Sequence, residues 1–281
     1  MKRFLTGLLC ILTIAALLPG CQPARDTGGA PRDNQLTYAT LTDASSRDEV
    51  RKRLENQKLS AESIDRFFQW VEDYNAFADT DPLDGFTVID GLEAPDQDCL
   101  EKWQEERVYS DTNCRLTAFG LLKGWIQAEK TLPADNFLMF DIDALENNPV
   151  TQYTPEETVA FYTLFNPVPI QLTTDEKEVE KAVLSEWKER GISFSDGAAK
   201  LVSVIVSDDL DSMAFVGHAG VLIEDGEGLL FVEKLSPTNP YQAAKFASRE
   251  QLRQYLMHRF EAHYVPDVTA KPFLLLNDQP F

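Results

Sequence analysis

Apolar positions in the first two thirds of the chain recur at helical spacing. Ile64, Phe67, Phe68, Val71, Tyr74 and Phe77 follow i, i+3, i+4, i+7 behind Ser60, a residue type that caps helix starts. They predict an amphipathic helix packed on a core, preceded by a shorter helix over 46–54. Residues 82–95 are turn-rich and acidic and mark a soft boundary. Asn113 reads as the cap of a further helix with Cys114 in its first turn. Leu116, Phe119, Leu122 and Ile126 give that helix a buried stripe, and it ends before Pro133. Thr154-Pro155-Glu156-Glu157 is a capping box with proline at the first helical position, opening a helix to about 165. Another helix runs over 174–190, stopped by Gly191.

The texture then changes to β-branched and apolar runs. Strands are predicted over 201–206, 213–223 and 229–235, the last two joined by the turn Glu224-Asp225-Gly226-Glu227-Gly228 as a hairpin. Ser248 caps a final helix carrying Leu252, Tyr255, Leu256 and Phe260, and 273–276 closes the chain as a strand. N-terminal helices followed by an antiparallel sheet with flanking helices make the fold class α+β. Residues 37–281 read as one domain, helical over 37–190 and sheet-rich over 191–281.

The N-terminus has a different character. Lys2 and Arg3 precede an apolar run over 4–18, which is too short to span a bilayer comfortably, so 1–20 read as a cleaved signal peptide. Its ending, Leu18-Pro19-Gly20-Cys21, resembles a bacterial lipobox, which implies lipidation of Cys21 and a membrane partner through that anchor. Residues 21–36, rich in Pro, Gly, Asp and Arg, suit a tether. Gln22 rather than Asp after the cysteine favours the outer membrane if the source is diderm. The expectation is a lipid-anchored bacterial cell-envelope protein. A net charge of −20 argues against nucleic acid as a partner.

Candidate chemistry is confined to few residues. His258 and His263, five apart on the last helix, match no metal motif, and no cofactor or metal site is expected. His218 lies within a predicted strand in Gly217-His218-Ala219-Gly220, where the glycines mark a close approach of ligand or chain. It is the candidate general base. Cys114 is the candidate nucleophile, because the positive end of a helix favours a thiolate and its free amides could hold an oxyanion. Glu233, across the hairpin, is the candidate orienter of the imidazole. The competing expectation is a Cys99–Cys114 disulfide in a non-catalytic binding or scaffold protein, which an oxidising compartment and an even cysteine count permit.

The hairpin that runs from Gly217-His218-Ala219-Gly220 to Phe231-Val232-Glu233, with Asn113-Cys114-Arg115, resembles papain-like cysteine peptidases and amidases of the NlpC kind. That resemblance implies a thiol hydrolase acting on peptide amides, with envelope peptides or peptidoglycan as substrate. Arg115-Leu116 departs from it, since small residues usually follow that cysteine. The stretch between Cys114 and His218 is also longer. Asn113-Cys114-Arg115, the Gly-His-Ala-Gly segment and Pro240-Tyr241-Gln242-Ala243 are together similar to a bacterial lipoprotein family, domain of unknown function 4300.

Overall fold

The structure is a computed structural model that describes residues 34–80 and 82–281. The expected signal peptide, Cys21 and most of the expected tether lie outside the described residues. In chain order the elements begin with β1 (Gln35–Ala39), α1 (Ala44–Asn56), α2 (Ala61–Ala78), β2 (Thr87–Asp90), α3 (Leu100–Glu106) and α4 (Cys114–Leu122). There follow β3 (Ile126–Gln127), α5 (Met139–Asn147), α6 (Pro155–Phe165), β4 (Val168–Pro169), α7 (Glu176–Glu189) and β5 (Ser193–Phe194). The C-terminal part holds β6 (Ala199–Asp208), β7 (Met213–Asp225), β8 (Gly228–Lys234), β9 (Tyr241–Phe246), α8 (Arg249–Phe260), β10 (Phe273–Leu276) and β11 (Gln279–Pro280).

The architecture is α+β, as expected. One antiparallel sheet runs in the order β11-β10-β6-β7-β8-β9-β1-β2, with β4 added beside β7. Its alternating residues feed two cores. Leu201, Ile205, Ala219, Val221, Val232 and Ala243 face α1, α2, α4, α6 and α7. Val202, Val204, Leu222, Phe231 and Ala244 face α8. Among the described residues no helix is long and apolar enough to cross a membrane.

Three differences from the pattern of apolar positions have physical causes. Residues 37–190 are not purely helical, because β1 and β2 extend the sheet beyond β9, through long-range pairs such as Thr37↔Lys245. This pairing also places Gln35 and Leu36, expected to belong to the tether, in a strand. The helix at Cys114 stops at Leu122 and passes through a 3₁₀ turn into β3, which pairs with β5. Long-range strand partners outweigh the helical spacing of Ile126 there.

Candidate active site

Cys114 opens α4. Asn113 caps that helix in the way its type suggests: its side-chain oxygen accepts from the Leu116 amide at 3.1 Å and its carbonyl from the Thr117 amide at 2.9 Å. The amides of Cys114 and Arg115 then stand in the first turn with no carbonyl behind them in the helix. The three residues before the thiol are each tied to a different element. Asp111 pairs with Lys234 of β8, Thr112 bonds the Tyr241 hydroxyl of β9, and Asn113 donates to Asp141 of α5 at 2.7 Å.

The sheet makes room for this helix start. β8 pairs with β7 only from Gly220↔Glu233 onward, and β4 meets β7 at Ala214↔Val168. Between those points one edge of β7 has no strand beside it. The first turn of α4 fills the gap: Arg115 Nη1 donates to the Val216 carbonyl at 3.1 Å, and the Ala219 amide donates to the Cys114 sulfur. Opposite, the β6–β7 register slips between His218↔Val204 and Val216↔Ile205, leaving Gly217 as a bulge. Bulges re-aim neighbouring side chains, here that of His218. A Cβ on Gly217 would come within 2.8 Å of Val206, and one on Gly220 within 2.2 Å of the Phe231 ring. The close approach at Gly220 is thus an aromatic side chain of the core rather than a ligand.

His218 is brought together with both expected partners. Its Nε2 meets Glu233 Oε2 at 2.5 Å, which leaves Nδ1 for the hydrogen bond to Cys114. The Phe260 ring stacks on the imidazole, with centroids 5.5 Å apart. Glu233, fully buried, also accepts from Gln242 Nε2 at 2.8 Å, from the Tyr255 hydroxyl and from Arg259 Nη2 at 3.2 Å.

The electrostatics follow from these contacts. Burial pushes the Cys114 thiol up, but the charge and hydrogen bond of His218, the Arg115 charge and the Ala219 amide outweigh it and hold the thiol below its ordinary value. Burial pushes His218 down, yet Cys114 and Glu233 raise it from 6.5 to about 9. Glu233 resists its own burial through Arg259, His218 and Tyr255 and falls from 4.5 to about 2. These are the signs of a thiolate–imidazolium pair braced by a carboxylate.

Cys99 has different partners and the opposite shift. It precedes α3, its sulfur lies 3.5 Å from the Tyr74 hydroxyl, and burial raises its pKa. Both cysteines are free thiols, so the Cys99–Cys114 disulfide of the alternative expectation is not formed. The Arg115 that departs from the peptidase pattern braces the site. It grips both oxygens of buried Asp141, at 3.1 and 2.5 Å, as well as the β7 edge.

The chain matches one family model, described as Domain of unknown function (DUF4300), over residues 37–281. The chain belongs to that family. No curated protein and no solved structure matches it. The matched residues include the whole cysteine–histidine–glutamate constellation. Gln242, Tyr255, Arg259, Asp141 and Lys234 complete the surroundings and were not singled out from sequence. In the sequence, Gln242 stands only in the family-like stretch 240–243 and Tyr255 only on the apolar side of the last helix; the register Glu233↔Gln242 sets the first beside the carboxylate.

Proposed function

We propose that this protein is a cell-envelope thiol hydrolase, anchored by lipid at Cys21, that cleaves amide bonds in peptides or in the peptide part of peptidoglycan. The observation that carries the reading is the buried Cys114–His218–Glu233 line, with the thiol shifted down and the imidazole shifted up. In this mechanism the Cys114 thiolate attacks the amide carbonyl, and the first-turn amides of Cys114 and Arg115 hold the oxyanion. His218 gives its Nδ1 proton to the leaving nitrogen as the C–N bond breaks, forming a thioester and a free amine. It then takes a proton from water, whose attack on the thioester releases the acid and returns the thiol. Glu233 keeps the imidazole oriented and favours its charged form. The papain-like resemblance is consistent with a nucleophile at a helix start and a base on an antiparallel strand.

The test is to incubate the full chain and its Cys114→Ala variant with muropeptides and with unfolded envelope proteins. New amine termini and a thioester adduct at Cys114 are read by mass spectrometry. Both are expected with the native chain only. Cleavage by Cys114→Ala would exclude the mechanism, and so would an ordinary rate of Cys114 alkylation near neutral pH in the native protein.

A further inference from the structure

Two guanidinium groups flank the thiol, and they are not equivalent. Arg115 has one donor of each of its three nitrogens engaged, on both oxygens of Asp141 and on the Val216 carbonyl. Arg259, in the last turn of α8, spends one on Glu233 Oε2 at 3.2 Å, the same oxygen that meets His218 Nε2. Its guanidinium lies over the Tyr255 ring at 4.5 Å, and the next residue, Phe260, is the one stacked on His218. Arg259 therefore stands beside the imidazole. A guanidinium carries five N–H donors, and the Nε of Arg259 is buried with no hydrogen-bond partner. A buried donor left unmatched costs about 1–3 kcal/mol, so this guanidinium is under-partnered where it sits. The side chain keeps 20% of its surface open, more than any other charged group around the thiol, against 13% for Arg115. It is also within electrostatic reach of the Cys114 sulfur.

We propose that Arg259 is the specificity-determining residue of the Cys114 site, and that it takes a carboxylate on the substrate close to the scissile amide. This rests on the hydrolase reading above. A planar guanidinium with unused donors matches a carboxylate better than it matches a neutral amide or a cation. The charge of the whole chain, −20, offers anions no general attraction, so a single unsatisfied arginine at the reaction centre acts by local recognition. It also screens an anionic substrate from the negative charges of Glu233 and the thiolate. A substrate with an amide or a methyl ester in place of that carboxylate loses the contact and leaves Arg259 unmatched.

The experiment compares two thiol reagents of similar size, iodoacetate and iodoacetamide, on the full chain, with label at Cys114 read by peptide mapping. Dividing the two rates cancels any change in thiolate fraction. The iodoacetate-to-iodoacetamide ratio is expected to fall about tenfold in Arg259→Gln, with partial recovery in Arg259→Lys. On the native protein, malonate should slow iodoacetamide labelling of Cys114 where malonamide does not, a measurement that needs no variant. An unchanged ratio in a folded Arg259→Gln, or equal effects of malonate and malonamide, would overturn the role of Arg259. Iodoacetamide labelling of native Cys114 at an ordinary thiol rate would instead overturn the hydrolase reading, and this proposal with it.

Discussion

Replacing Glu233 by Gln keeps the shape of the side chain and removes its charge. In the native site His218 is raised from 6.5 to about 9. That shift amounts to about 3 kcal/mol of preference for the imidazolium. Burial opposes it, so Cys114 and Glu233 together supply more than the net effect. Unit charges centred ~4 Å apart attract by about 4 kcal/mol at an effective dielectric of ~20, an upper bound on what Glu233 gives. If its share is about half, His218 loses between one and two pH units of its rise, or roughly ten- to hundredfold in imidazolium stability. A thiol facing a weaker cation ionises less. The iodoacetamide rate at Cys114, followed against pH, should therefore show a neutral plateau in the native protein. In Glu233→Gln the rate at pH 6 should fall by about ten- to hundredfold and recover only toward the alkaline range of an ordinary thiol. Cys99, raised by burial, is the internal slow control. Circular dichroism is the check that the variant folds, which is expected because Gln242 and Tyr255 also bond each other beside the site. A folded Glu233→Gln chain that labels at the native rate at pH 6 would refute the reasoning, because the imidazolium would then owe nothing to the carboxylate.

Stability against urea should pass through a maximum between about pH 4.5 and 6.5. Glu233, depressed to about 2, contributes fully above 4.5 and loses its contribution as pH falls. His218, raised to about 9, contributes fully below 6.5 and loses its contribution as pH climbs through 9, with the lowered Cys114 offsetting part of that loss. Each limb is worth up to about 3 kcal/mol, and Cys114→Ala should move the alkaline limb to lower pH; an unmoved limb would contradict the pairing. The buried Asp111–Lys234 pair, which ties the approach to Cys114 onto β8, gives a second test. Burial pushes Asp111 up and Lys234 down, each toward neutrality, against their mutual attraction. Lys234→Met alone should cost about 3–5 kcal/mol by stranding Asp111, and adding Asp111→Asn should restore much of it. Additive losses in that double-mutant cycle would mean the two do not act as a pair.

The local features of this chain were set by neighbouring residues. Asn113 caps a helix with any core behind it, the Thr154 capping box closes within four residues, and the Asp225-Gly226 turn joins its strands through its own backbone preferences. Those contacts are short in sequence, so the α4 start, the β7–β8 hairpin and the α+β class could be read from periodicity and turn chemistry. The candidate nucleophile, base and orienter came from the same level, because a cysteine at a helix start and a histidine between strand glycines are local signals. What brings them together is not local. His218 reaches Cys114 because β8 stops pairing at Gly220, α4 fills the open edge, and the bulge at Gly217 turns the ring. Whether Cys114 meets Cys99 or His218 depended on where α3 and β7 pack, which their own residues do not specify. The polar support of Glu233 was equally hidden. Gln242, Tyr255 and Arg259 lie 9, 22 and 26 residues beyond it and converge only when β9 pairs in register and α8 covers that face of the sheet. Strand register and layer packing are decided by the burial of whole faces, and so the charge state of this site belongs to the tertiary structure.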